Sequence, residues 1–229
     1  MHKAISGICL TMLAVAGCAS GQAAEAPAKQ DAATGATAAA VAPAEAAKLR
    51  AALLPAPKGM RVTYGPETGV FGGLKSTQQG LAAIRQSKLE RPECGAATQL
   101  DATKLAQAPA AVISFATEGG SLTQAVVSAT PDAFPAPLPK QCASYQAEVD
   151  GTRVTYRTKA LDMPKHGDQS RAYITTAMRG KGDDAQVGTV AIRRGDLITT
   201  MILVGKKLKP RGLYELGRMA DQNLARVTR

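Results

Sequence analysis

Residues 186–204 read QVGTVAIRRGDLITTMILV, and this stretch decides the fold. Gln186–Arg193, rich in Val, Thr and Ile, reads as a strand. Gly195-Asp196 supplies turn chemistry, because Gly tolerates positive φ and Asp bonds its own backbone. Leu197 to Val204 is then almost continuously apolar, so the strand Asp196–Val204 is expected to be central, with both faces covered.

Working outward, Arg171–Met178 joins this pair through Gly180-Lys181-Gly182, giving an antiparallel meander. Asp150-Gly151 is a strong hairpin signal between Gln146–Val149 and Arg153–Leu161. In the latter strand Val154 and Tyr156 face one way, and Arg153, Arg157 and Lys159 face the other. Val112–Thr117 and Leu122–Ala129 flank a second turn at Glu118-Gly119-Gly120-Ser121. After the central strand, Pro210 opens a helix in which Leu213, Leu216, Gly217, Ala220, Leu224 and Val227 recur at helical spacing. The fold class is therefore α+β: an antiparallel β-sheet with helices packed on it, the C-terminal helix lying across the sheet.

The amino-terminal half is less regular. Leu49, Leu53 and Leu54 mark one face of a short helix from near Ala46 that stops at Pro55. Met60–Tyr64 reads as a strand ended by Gly65-Pro66. Ser76 with Gln79 has the form of a capping box, opening a helix that carries Leu81 and Ile84. A further helix is expected from Ala96 to Ala106 with Leu100 and Leu105 inward, and Pro131–Pro139 is read as an irregular connection.

The 229 residues allow one folded domain and a tail. Hydrophobic residues make up 45%, too many for an intrinsically disordered chain, but only 3% are aromatic and Trp is absent. No second long apolar run follows the amino terminus, which excludes a multi-span membrane protein.

The amino terminus decides the expected compartment. His2 and Lys3 precede an apolar run from Ala4 to Ala16, the length of a signal-peptide core. Val15-Ala16-Gly17-Cys18 resembles the lipobox of bacterial lipoproteins. That resemblance implies a signal peptide over 1–17, and a mature chain that begins at a lipidated Cys18 and carries enough acyl chains for stable anchoring. The alternative is an ordinary secretory signal with a chance Cys. Residues 18–45, rich in Ala and interrupted by Pro27, Gly35 and Pro43, read as a disordered tether, with a marginal Ala-rich helix as the other reading. Residues 46–229 are expected to form a single domain.

With Cys9 removed and Cys18 lipidated, Cys94 and Cys142 remain. Outside the cytoplasm two leftover thiols are expected to pair as a disulfide. His166 is the only histidine of the mature chain, so two cysteines lack partners for a metal site. His166, Asp168 and Ser170 are the residue types of a catalytic triad, but within one short loop they read as turn residues. Asp183-Asp184 lacks the ligand spacing of a calcium loop. Arg194-Gly195-Asp196 matches an integrin-binding tripeptide, yet it is also simple turn chemistry. Nucleotide-binding glycine patterns are missing, and no cofactor is expected.

Charge is more informative. From Asp150 to Arg229 there are 16 Lys and Arg against 8 Asp and Glu, so most of the net +10 lies there. Lys206, Lys207, Lys209 and Arg211 form the densest cluster, and with Arg153, Arg157 and Lys159 on one strand face they are the expected contact surface. Such a field favours anionic partners. The expected compartment removes nucleic acid and leaves anionic lipid, wall polymer or an envelope protein. A surface that merely keeps the domain soluble is the alternative.

LPKQCASY at 138–145, SRAY at 170–173 and VAIRRGDL at 190–197, together with the lipobox, are similar to small actinobacterial cell-envelope lipoproteins. The order of elements resembles the extracellular sensor domain of mycobacterial Ser/Thr kinases. That resemblance implies an antiparallel sheet flanked by helices; its members usually carry two disulfides and a Trp, where this chain has cysteines for one bridge and no Trp. The expectation is a lipid-anchored, non-catalytic binding or sensor module on the extracytoplasmic face of the cell membrane. Two other readings stand beside it: a carrier of an apolar or lipid ligand between the sheet and the last helix, and a hydrolase or transferase with scattered residues.

Overall fold

Leu197, Ile198, Thr199, Thr200 and Met201 are all buried, because their strand is covered on both faces. The computed structural model in which this is seen describes residues 41–180 and 184–229. The expected signal segment, Cys18 and the tether up to residue 40 lie outside the described residues, as does Asp183.

The described elements are α1 (Pro43–Ala52), β1 (Arg61–Val70), α2 (Lys75–Gln86), β2 (Lys88–Leu89), β3 (Pro109–Thr117), β4 (Gly120–Ser128), β5 (Ser144–Val149), β6 (Thr152–Leu161), β7 (Gln169–Met178), β8 (Ala185–Arg194), β9 (Leu197–Gly205) and α3 (Pro210–Val227). The strands form one nine-stranded sheet in the order β1-β3-β4-β9-β8-β7-β6-β5-β2. Every neighbouring pair is antiparallel, so the α+β expectation holds. β9 lies in the interior of the sheet, as its apolar run requires.

Two cores result from the alternation of side chains. On the first face Leu49 and Ala52 of α1, and Leu213, Leu216, Ala220 and Leu224 of α3, pack with Phe115, Leu122, Val126, Val190, Ile192 and Met201. α3 approaches β8 closely where Gly188 carries no side chain: a Cβ there would sit 2.6 Å from a Leu213 methyl. On the second face Phe71, Leu74, Leu100, Leu105 and Phe134 cover Val112, Ala125, Val127, Ala191 and Ile198. Cys94 and Cys142 form the expected bridge, with Cα atoms 5.2 Å apart.

Three local expectations need correction. β1 does not end at Gly65-Pro66 but runs through it to Val70. It is an edge strand, so Pro66 can face away from the ladder, and register shifts on either side of Tyr64 absorb the irregularity. Ser76 is not a cap; α2 begins after Leu74 without a side-chain cap, and the Ser76 hydroxyl is buried with no partner. The Gln78 amide donates to the Gly72 carbonyl instead. Residues 96–106 form turns rather than a helix, because Asp101 Oδ1 accepts the N–H groups of Thr103 and Lys104 at 2.9 and 3.2 Å. Leu100 and Leu105 still point inward.

Candidate anionic-partner groove

The hairpin between β5 and β6 turns at Asp150 and Gly151, whose φ values of 51° and 72° are both left-handed. That turn fixes the register of β6 and, with it, the face of each side chain. Arg157 stands opposite Thr176, Lys159 opposite Ile174, and Leu161 opposite Ala172 of β7. Leu161 and Ile174 pack on the first-face core, so Arg157 and Lys159 share the face that carries α3. Arg153 has the same parity, about 13 Å farther along the strand at 3.3 Å per residue.

β9 ends at Gly205, opposite Gln186. The next four residues lead into α3, and Gln186 fastens them. Its Oε1 accepts the Leu208 N–H at 2.7 Å, while its Nε2 donates to Thr176 Oγ1 at 3.4 Å. Leu208 and Pro210 therefore stand across β7 from Arg157 and Lys159. The space between them is an open groove of about 380 Å³, lined by Arg157, Lys159, Leu161, Ile174, Leu208 and Pro210 with Thr176 and Gln186. Of the seven basic residues only Arg157 and Lys159 line the groove, and they face the segment 206–211 across it. Lys206, Lys207, Lys209 and Arg211 are all exposed around Leu208 and Pro210.

None of these seven cations makes a side-chain hydrogen bond or ion pair with a described residue. Some cations elsewhere do: Lys48 with Asp196 at 2.9 Å, Lys88 with Glu148 at 2.9 Å, Arg193 with Asp168 at 3.2 Å and Arg194 with Asp221 at 2.8 Å. Others, such as Lys58, Arg61 and Arg85, are as free as these seven among the described residues, so it is their placement that sets the seven apart. A larger hollow of about 470 Å³ beside Ser128–Pro131 has Asp196 as its one charged lining residue, and that carboxylate already holds Lys48.

The other candidates are engaged in the fold. Ser170 Oγ accepts the His166 N–H at 3.1 Å, and Asp168 accepts the Gly195 N–H at 2.8 Å besides pairing with Arg193. They fasten a turn and do not converge as nucleophile and base. Arg194 and Asp196 are both committed to ion pairs. Asp184 is exposed beside the undescribed Asp183. Among the described residues no cluster of three or more His, Cys, Asp or Glu could hold a metal ion, and no helix is long and apolar enough to cross a membrane. The interface between sheet and α3, where a carrier would hold its ligand, is filled by Leu213, Leu216, Ala220 and Leu224.

One surface had no signal in the sequence. α2 follows β1 and precedes β2 in the chain, and none of its residues is buried. The second-face residues Ser114, Thr123, Ile202, Ser121, Val204, Val187 and Thr175 are left half-buried in rows. They carry hydroxyl and aliphatic groups and no charge.

These features define a class: a single antiparallel sheet with two helices on one face and loops and short turns covering part of the other. No family model matches the chain, and no curated protein matches it. Among solved structures it is similar to the extracellular domain of PknH from Mycobacterium tuberculosis, with a TM-score of 0.55 and 15% identity over 83% of this chain and 98% of that one. An uncharacterized protein of Mycobacterium smegmatis (Rv0999 ortholog) aligns with a TM-score of 0.47 and 13% identity over 81% and 96% of the two chains. The likeness to the PknH domain shows a shared fold, in line with the element order expected from sequence.

Proposed function

We propose that this chain is a non-catalytic binding module of the cell envelope, held to the outer face of the membrane through Cys18, whose contact surface for an anionic partner is the Arg157–Leu208 groove and its basic rim. One observation carries the reading. The seven basic residues singled out by charge pattern are unpaired among the described residues, and two of them face the segment that carries the other cluster across a single groove. Unpaired cations on the two sides of a groove attract anions, and they lose that attraction as salt screens them. The lipobox supports the location, as does a fold that PknH carries in its extracellular domain.

The test is retention on an immobilised polyanion, heparin, as a function of salt. Charge reversal of Lys206, Lys207 and Lys209 is expected to weaken binding at least ten-fold and flatten its salt dependence. Reversal of Arg85 on α2 serves as the control and is expected to change little. Equal loss from both, or no loss from either, would reduce the basic surface to a solubilising one. For the anchor, Cys18→Ser is expected to abolish lipid labelling; labelling that persists would overturn it.

A further inference from the structure

The groove is not only basic. Leu161, Ile174, Leu208 and Pro210 supply an apolar floor and one wall, while Arg157 and Lys159 stand on the opposite rim. Arg157 and Lys159 are two residues apart on one face of β6, about 7 Å along the strand, a spacing that lets both reach one phosphate. Leu161 and Ile174 already belong to the margin of the first-face core, yet they remain half-buried where the groove opens. A free inorganic anion would use the cations and leave these aliphatic groups wet. A neutral apolar ligand would cover the aliphatic groups and make no use of the two exposed cations beside it.

From this pairing of charge and apolar surface we infer that the groove takes an acidic lipid, its phosphate between Arg157 and Lys159 and the first part of an acyl chain along Leu161, Ile174 and Leu208. The long stems of Arg and Lys can lie on the apolar floor while their charged ends hold the phosphate. Gln186 has a positioning role, since its bonds to Leu208 and Thr176 set the width of the groove. This inference rests on the anionic-partner reading and narrows it to one ligand class.

Calorimetric titration of the secreted chain carrying Cys18→Ser, so that no lipid of its own competes, tests it with four probes in monomeric solution. Dihexanoyl phosphatidylglycerol is expected to bind at least ten-fold more tightly than dihexanoyl phosphatidylcholine, glycerol phosphate or inorganic phosphate. Lys159→Glu and Arg157→Glu are each expected to lose at least ten-fold for the acidic lipid. Leu208→Ser should lose a similar factor while leaving heparin retention intact, and Ile174→Thr repeats that test at a second position should Leu208→Ser fold poorly. Glycerol phosphate binding as tightly as the acidic lipid would overturn the apolar half of the inference, and equal binding of the two lipids the charged half. Failure of every lipid with heparin retention still dependent on Lys206, Lys207 and Lys209 would remove the lipid and leave the anionic-partner reading. Loss of both would remove the two together.

Discussion

Gln124 Oε1 accepts the backbone N–H of Leu54 at 2.7 Å, joining the end of α1 to the middle of β4 across 70 residues of chain. The same amide donates from Nε2 to Thr199 Oγ1 at 3.1 Å, and that hydroxyl donates to the Ala125 carbonyl at 3.1 Å. Gln124 is fully buried among first-face aliphatic groups, and burial there is tolerable because both ends of its carboxamide are satisfied. Gln124→Leu keeps the volume but strands the Leu54 N–H without its acceptor. It is expected to cost about 2 kcal/mol, the usual penalty for an unsatisfied buried donor. Urea unfolding checks this; an unchanged midpoint at unchanged slope would show that the network adds no stability.

Two glycines should respond very differently to alanine. Gly167 has φ of 58°, and a Cβ there would lie 2.3 Å from the Arg193 carbonyl oxygen, a backbone atom of β8 that cannot yield cheaply. Gly188 also looks crowded, but its nearest neighbours are methyl groups of Leu213 and Leu208, which can rotate. Gly167→Ala is expected to destabilise by about 2 kcal/mol or more through strain and clash, and Gly188→Ala by clearly less. Thermal unfolding of both variants decides, and the reverse order would contradict the close packing of the 162–168 loop on β8.

The carboxy-terminal meander was legible because its information is local. Asp150-Gly151 and Gly195-Asp196 specify turns, and Leu197–Val204 specifies an interior strand. The passage of β1 through Pro66 was not legible, because only the finished sheet order makes β1 an edge. Residues 96–106 misled for a different reason: the apolar spacing suits a helix, but Asp101 captures two backbone donors first. The site was half readable. Its charges stand out in composition, whereas the groove that sets Arg157 and Lys159 opposite Leu208 and Pro210 depends on β6 and β8 flanking β7 and on the Gln186–Leu208 bond.

The Cys94–Cys142 bridge ties the turn after β2 to the segment entering β5, with both cysteines buried. The closed loop spans 48 positions, for which the chain-entropy account gives about 4 kcal/mol, often less in practice. Replacing both cysteines by Ala is expected to lower stability by about 2–4 kcal/mol. Reductant should lower the melting temperature of the parent chain and leave the double variant unmoved. A parent chain indifferent to reductant under unfolding conditions would count against a stabilising role.

Tyr145 and Tyr156 face each other across β5 and β6, with ring centroids 5.1 Å apart and planes 16° from parallel. Burial, and then the neighbouring Tyr156, push the Tyr145 phenol up to about 12. Burial also raises Tyr156, with Arg179 opposing the shift. A phenol with a folded pKa above its unfolded value binds its proton more tightly in the folded state. Its stabilisation is complete below the ordinary value of 10.0 and is lost as pH climbs toward about 12. Tyr64, raised to about 12 by burial and by Glu67, acts in the same window, so a single substitution removes only one share of the slope. Tyr145→Phe is therefore expected to leave stability near neutrality little changed while flattening its decline above pH 10. Chemical unfolding at closely spaced alkaline pH values, read beside ultraviolet phenolate absorbance, measures both quantities. An alkaline decline identical in the parent chain and Tyr145→Phe would mean that the stacked phenols gain nothing from their burial.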